Sequence, residues 1–106
     1  MAQATLSTHV LDTTSGVQAA GVDVALYRDT TLAAKGTTGK DGRVAKLGEE
    51  HEPGMYRLVF DVGAYFRARQ LDTFLGSVTI EVRLKDGHQH IPLLVSRYGI
   101  VSYLGS

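Results

Sequence analysis

The sequence predicts an all-β protein, an antiparallel sandwich of seven or eight strands with one short helix. Apolar and polar residues alternate along most segments, with the two-residue period of a strand. Glycines fall between the apolar stripes, and two Asp-Gly pairs, at 41–42 and 86–87, have the composition of tight turns. The length of 106 residues predicts one domain, spanning 1–106.

Each element follows from where the alternation begins and ends. The predicted strands are 6–11, 22–27, a weaker one at 31–38, then 56–60, 78–84, 90–96 and 100–104, with a turn near 97–99. In the first strand Leu6 and Val10 share one face, and Ser7 and His9 share the other. The segment 63–71 is the one helical candidate, about two turns long.

Composition excludes several classes of function. Eleven basic residues balance eleven acidic ones, so the chain lacks the basic face that nucleic-acid binding requires. The absence of cysteine removes disulfides, thiolate metal sites and cysteine nucleophiles. Apolar runs such as 93–95 are far shorter than the roughly 20 residues of a membrane-spanning helix. We therefore expect no nucleic-acid or membrane partner, no signal peptide and a cytoplasmic location.

Histidines are the main candidates for chemistry, because an unperturbed imidazole titrates near neutral pH. His9 lies in mid-strand on the face opposite Leu6, where a half-exposed strand histidine is the structural alternative to a functional one. His88 and His90 are two residues apart and would share a strand face, as a pair of metal ligands could. No recognised spacing supplies a third ligand, so no metal is expected. His51, in a charged loop, is expected on the surface.

Arg43 follows the first Asp-Gly turn. Turn arginines are normally solvated, although a planar guanidinium is also the preferred clamp for flat anions. The sequence contains no glycine-rich phosphate loop, nucleophile elbow or zinc-binding helix motif. Two strand histidines and an arginine thus indicate an acid–base site that works without covalent catalysis.

Several segments also occur in a familiar order over nearly the whole chain. They are 6–13, 21–27, 38–43, 54–66, the run His90-Ile91-Pro92-Leu93-Leu94-Val95-Ser96 and the ending Tyr103-Leu104-Gly105-Ser106. In this order, from about Leu6 onward, the chain resembles the transthyretin-like 5-hydroxyisourate hydrolases. The combination of the N-terminal histidine segment with His-x-Pro-Leu-Leu near the other end makes the resemblance specific.

The resemblance implies a fold, an activity and an assembly. The fold would be the prealbumin or transthyretin-like sandwich of two antiparallel four-stranded sheets with one short helix. The activity would be hydrolysis of 5-hydroxyisourate, the product of urate oxidation, to 2-oxo-4-hydroxy-4-carboxy-5-ureidoimidazoline. This reaction opens a cyclic amide in purine catabolism and uses no cofactor or metal. The assembly would be a homotetramer, a dimer of dimers with active sites in the channel between dimers.

The resemblance also implies roles for individual residues. The catalytic set would be His9, Arg43, His90 and Ser106, and substrate would contact His9, Arg43 and Tyr103. His9 or His90 would activate water as general base, and the sequence leaves open which one. Arg43 would hold the flat ring and stabilise charge developing on oxygen. Tyr103 and Ser106 would position substrate and water.

Some positions depart from the family pattern, which ends in Tyr-Arg-Gly-Ser. Leu104 replaces the arginine of that ending, while Arg97 and Ile100 stand where the family usually has Pro and Tyr. A catalytically weakened homologue therefore stays an alternative. Two others are a transthyretin-like small-ligand carrier, which would lack these histidines, and a prealbumin-like structural module, which would need neither His9 nor His90.

Overall fold

The computed structural model describes residues 3–106 and contains, within that range, nine strands and one helix. The expectation that no signal peptide begins the chain lies partly on residues 1–2, outside this range. The elements are β1 (Ala4–Asp12), β2 (Val17–Gln18), β3 (Asp23–Arg28), β4 (Thr31–Thr37), β5 (Arg43–Val44), β6 (Gly54–Phe60), α1 (Val62–Ala68), β7 (Val78–Leu84), β8 (Gly87–Ser96) and β9 (Gly99–Ser102).

The strands form two sheets. One sheet has the order β2-β1-β8-β9, with β5 also paired to β1, and the other has the order β4-β3-β6-β7. This arrangement confirms the all-β sandwich, with two corrections: one sheet has five strands instead of four, and that sheet is not wholly antiparallel. β1 and β8 run parallel, in register from Ala4 opposite Gly87 to Asp12 opposite Val95. Parallel neighbours need a long crossover, and most of the domain separates these two strands in the chain.

The core lies between the sheets and confirms the face assignment of β1. Leu6 and Val10 are fully buried, whereas His9 is only half-buried on the outer face. Large side chains from both sheets meet them, and each contributes about 1.5–3 kcal/mol by leaving water. They include Leu26, Leu58, Phe60, Leu84 and Leu93. The outer face of the β1–β8 sheet is consequently free to carry polar groups.

The helix begins one residue before the predicted segment and ends three residues before its end. Asp61 caps its N-terminus by accepting a hydrogen bond from the Ala64 N–H at 3.1 Å. Gln70 takes a left-handed backbone conformation, with φ of +60°, which stops the helix. Within residues 3–106 the structure has no helix that combines the length and apolar character required to cross a bilayer.

A buried hydrogen bond ties the helix to β1. The Tyr65 hydroxyl donates to Asp12 Oδ2 at 2.8 Å, and both residues are almost fully buried. Burial and, next, the hydrogen bond to Asp12 raise the pKa of Tyr65 to about 12, so this hydroxyl keeps its proton. Asp12 Oδ1 accepts from the backbone N–H groups of Thr14 and Ser15, so the same carboxylate also shapes the turn after β1.

Tyr65→Phe is expected to lower the free energy of unfolding by about 1–3 kcal/mol, because it leaves a buried carboxylate oxygen without its donor. Urea unfolding followed by circular dichroism measures this change. Tyr98→Phe is the matched control, since Tyr98 is 63% exposed, and it should shift stability by no more than about 0.5 kcal/mol. Equal stabilities of the two variants would contradict a structural role for the hydrogen bond.

Candidate functional site

The pairing of β1 with its neighbours gathers polar side chains on the outer face of the sheet. The parallel register sets Ser7 opposite His90, and the β1–β5 register sets His9 opposite Arg43. Paired residues on adjacent strands share a face, so these groups and His88 form one cluster. We call this cluster, Ser7, His9, Arg43, His88 and His90, the histidine face.

The turn before β5 fixes the position of Arg43. Gly42 has φ of +73°, and a Cβ at this residue would stand 2.5 Å from the Val10 carbonyl oxygen, so only glycine fits. The Val10 N–H donates to the Gly42 carbonyl at 2.8 Å, and Asp41 accepts from the Arg43 N–H at 3.0 Å. The Arg43 side chain is exposed and takes part in no ion pair within residues 3–106. Its guanidinium is therefore available to a ligand on the histidine face.

His9 is oriented by a residue that the sequence does not single out. Its Nε2 is hydrogen-bonded to Oε1 of Gln18 on β2. An amide oxygen accepts, so Nε2 is the donor in this hydrogen bond, and in a neutral ring Nδ1 is then an acceptor. β2 is a two-residue exposed strand, too short to show an alternating pattern, and Gln18 accordingly gives no sequence signal.

His90 and His88 are joined through one hydroxyl. Ser7 Oγ lies 2.8 Å from His90 Nδ1 and 2.8 Å from His88 Nε2. Nδ1 of His88 is also bonded, at 2.7 Å, to Thr5 Oγ1. The spacing of His88 and His90 predicts their common face correctly, but the sharing of Ser7 follows from the parallel pairing, which alternation does not reveal.

The surroundings of His90 favour its neutral form. Burial of the ring lowers its pKa below the ordinary value, and the positive charge of Arg43 and then the neighbouring His9 and His88 lower it further. A neutral imidazole with Nδ1 bonded to Ser7 presents Nε2 as its second polar atom. In this state the ring has the electronic form that a general base needs at neutral pH.

The C-terminal residues extend the histidine face. Leu93 pairs with Ser102, and a bridge in the same register pairs His90 with Gly105, whose N–H donates to the His90 carbonyl at 2.7 Å. Continued into the tail, this register sets Tyr103 opposite Pro92; the residue is 55% exposed and also borders the cavity that Leu104 lines. A Cβ on Gly105 would approach His90 Cδ2 to 2.8 Å, so the tail packs directly against that ring. Ser106 follows at this end and is exposed.

Leu104 belongs to a different surface. It alternates with Tyr103 and Gly105 and lies at the register position opposite Ile91, a residue of the inner face. There it lines a cavity of about 290 Å³ at the edge of the sandwich. The other lining residues are Ile80, Val82, Arg83, Leu84, Gln89, Ile91, Ser102 and Tyr103. Leu104, at the position where the family has arginine, therefore lies on the cavity side of the tail and not on the side where Gly105 contacts His90.

The expectation that His51 lies on the surface is wrong. His51 is buried, its backbone bridges Ala4, and its Nε2 is hydrogen-bonded to the Leu47 carbonyl at 2.8 Å. The loop folds over the sandwich edge, so a charged neighbourhood in sequence does not keep the ring in solvent. As for metal ligands, the described part of the chain contains no group of three or more His, Asp or Glu side chains that could hold an ion.

Comparison with known proteins shows the family to which the chain belongs. The family model described as HIUase/Transthyretin family matches residues 6–105, and the chain belongs to that family. A relative from Salmonella typhimurium, named 5-hydroxyisourate hydrolase, is 39% identical over 109 residues, which cover 95% of this chain and 80% of that protein. The resemblance inferred from the sequence is confirmed.

Solved structures are similar to this chain over nearly its whole length. The structure of Klebsiella pneumoniae 5-hydroxyisourate hydrolase matches with a TM-score of 0.91 and 33% identity, covering 97% of this chain and 94% of that one. Transthyretin from Sparus aurata matches with a TM-score of 0.88 and 24% identity, covering 94% of this chain and 95% of that one. The second likeness supports the fold alone.

Proposed function

We propose that the protein is a 5-hydroxyisourate hydrolase. The observation that carries the proposal is the histidine face, where His9, Arg43 and His90 come from three strands to one surface. Relatives named for this activity, at 38–42% identity over 95% of the chain, support the choice of substrate. A carrier or a structural module would not need three imidazoles and a free guanidinium on one sheet face.

The proposed mechanism assigns the general base to His90. Its lowered pKa keeps the ring neutral, and Nδ1 is bonded to Ser7, which leaves Nε2 to accept a proton from water. The water oxygen then bonds to a ring carbonyl carbon, and negative charge develops on the carbonyl oxygen. The ring C–N bond breaks next, and His90 returns the proton to the departing nitrogen. Atoms and protons balance without a cofactor.

Arg43 and His9 are proposed to hold the substrate and its developing charge. The guanidinium offers a planar set of donors to the flat ring and to the oxyanion. His9, whose Nε2 is bonded to Gln18, has Nδ1 free to accept from a ring N–H. Tyr103 and Ser106, exposed on the tail that packs against His90, are proposed to position substrate and water by hydrogen bonds.

The assembly proposed for this site is a homotetramer. The histidine face is an open sheet surface, so one chain contacts a flat ligand from one side only. Beside it on β9 lies Val101, which is 57% exposed. A second copy facing this sheet would cover the apolar residue and enclose the substrate. Light scattering at micromolar concentration tests the assembly, and a monomer would contradict it.

The activity is tested by generating 5-hydroxyisourate from urate with urate oxidase and following its ultraviolet decay with and without the protein. We expect the protein to accelerate the decay, and a variant purified in parallel, His90→Gln, to accelerate it far less. Decay at the spontaneous rate with active urate oxidase present would refute the hydrolase proposal. Binding of purine-like ligands without turnover would instead support a carrier.

Leu104→Arg restores the family residue and tests whether this departure weakens the site. Because Leu104 lines the cavity side of the tail and is 72% exposed, a new charge there would be solvated. We expect kcat/KM to change by less than about 5-fold, the range of an exposed charge contact. A larger gain would show that the arginine acts on the site itself. Leu104→Lys separates a requirement for charge from one for the guanidinium.

A further inference from the structure

A series of four hydrogen-bonded side chains runs from His90 to the N-terminal ends of β1 and β8. Thr5 Oγ1 is 2.7 Å from His88 Nδ1, His88 Nε2 is 2.8 Å from Ser7 Oγ, and Ser7 Oγ is 2.8 Å from His90 Nδ1. Ser7 is buried, whereas His88 is exposed, so the chain runs from a shielded end to a solvated one. The parallel pairing of β1 and β8 produces it, because Thr5 lies opposite His88 and Ser7 opposite His90.

Only two arrangements of protons satisfy every hydrogen bond in this series of side chains. Each hydroxyl has one proton and each neutral imidazole has one N–H. In the first state, Nδ1–H of His90 donates to Ser7, Ser7 donates to His88 Nε2, and Nδ1–H of His88 donates to Thr5. In the second state every donor becomes an acceptor and the direction reverses. With mixed tautomers, either both rings donate to Ser7 Oγ and the Ser7 O–H has no acceptor among these side chains, or two bare ring nitrogens face the single Ser7 proton.

The two states give His90 opposite properties. In the first state its Nε2 has a free lone pair and can accept a proton from water. In the second state Nε2 carries the proton and is a donor. His88 therefore determines the tautomer of His90 through Ser7, to which both rings are hydrogen-bonded. This is the same relation by which a second hydrogen bond fixes the tautomer of a catalytic histidine.

We propose that His88 and Thr5 are positioning residues that, through Ser7, hold His90 in the tautomer with a bare Nε2, and we call the series Thr5, His88, Ser7 and His90 the relay. The inference rests on the proposed function, in which His90 is the general base. A His90 ring in the second state returns to the first by moving one proton along each link: as Nε2–H leaves His90, Ser7 gives its proton to Nδ1, His88 gives its Nε2 proton to Ser7, and Thr5 gives its proton to His88 Nδ1. Bulk water supplies a proton to Thr5.

Kinetics test the relay with His88→Ala and Thr5→Val. For His88→Ala we expect kcat to fall about 10- to 100-fold, the range typical of removing a group that orients a histidine. KM should stay within about 2-fold, since ground-state binding is unchanged. Thr5→Val keeps the shape and strand propensity, and it should reduce kcat less, because water can replace a hydroxyl that is only half-buried. Added imidazole should partly restore His88→Ala, whereas a purely structural loss would not respond.

Thr79→Val is the matched control for Thr5→Val, since Thr79 is an exposed threonine on β7 of the other sheet. It should leave kcat unchanged. A kcat for His88→Ala within about 2-fold of the unaltered protein would overturn the relay. A higher KM with an unchanged kcat would overturn it as well.

A second measurement does not depend on activity. Long-range ¹H–¹⁵N spectra of the protein labelled at histidine report which nitrogen of each neutral ring carries its proton. The relay requires both His88 and His90 to carry the proton on Nδ1, and two rings protonated on Nε2 would contradict it. Opposite tautomers would overturn it even if the protein hydrolyses 5-hydroxyisourate. Protons on Nδ1 of both rings without hydrolysis would refute the proposed function and leave the relay standing.

Discussion

Replacing His90 by Gln is expected to lower kcat for 5-hydroxyisourate hydrolysis by about 10²- to 10⁴-fold, the contribution of a positioned general base. Glutamine is polar and of similar size to histidine, and His90 is only half-buried, so the loss should arise from the missing base and not from unfolding. His51→Gln is the matched control. It removes the buried imidazole bonded to Leu47 and should reduce the free energy of unfolding while kcat is retained.

The pH dependence of kcat/KM for the unaltered protein tests independently whether His90 is the general base. The pKa of His90 is lowered by burial and by the groups that face it, Arg43 on β5, His9 on β1 and His88 on β8. A lowered pKa means that the ring stays neutral as the pH falls below the usual histidine range. We therefore expect kcat/KM to hold into mildly acidic solution and to decline only below that lowered pKa. A decline centred above 6.5, the ordinary histidine value, would contradict His90 as base.

Local pattern was sufficient for much of the fold. The alternation in the first strand predicted which side of it meets the core, and Leu6, Val10 and His9 confirm this. The Asp-Gly pair at 86–87 lies at the short connection between two strands, where the chain bends at Asp86 without forming a tight turn. It links β7 of one sheet to β8 of the other, whereas an Asp-Gly turn between paired strands would close a hairpin.

The contacts of the candidate site are harder to predict from the sequence, because they depend on the order of the strands in the sheet. His9 and His90 are 81 residues apart, and only the pairing of β1 with β8 makes them neighbours. No periodicity encodes that pairing, so Ser7 and Gln18 could not be connected to the histidines. For His51, polar neighbours in sequence predicted exposure, but the backbone bridge to Ala4 draws the loop against the core. Tertiary pairing therefore determines both the contacts of the site and this exception.

Arg43 is expected to show the second large effect, and two substitutions separate its charge from its shape. Arg43→Gln removes both and should lower kcat/KM about 10²- to 10³-fold, the cost of losing one donor to a developing oxyanion. It also removes the positive charge that helps to lower the pKa of His90. The acid limb of the pH–rate profile should consequently move to higher pH in this variant.

Arg43→Lys keeps the charge but replaces the planar fork by a single ammonium group. We expect its acid limb to stay near that of the unaltered protein, while kcat/KM falls because the flat ring is no longer held by two parallel donors. Arg57→Lys, a change of an exposed arginine on β6 in the other sheet, is the control and should leave both quantities unchanged. If Arg43→Lys shifts the limb as far as Arg43→Gln does, the charge of Arg43 does not act on His90. If Arg43→Lys retains full kcat/KM, charge alone explains the role of this residue and the planar clamp is excluded.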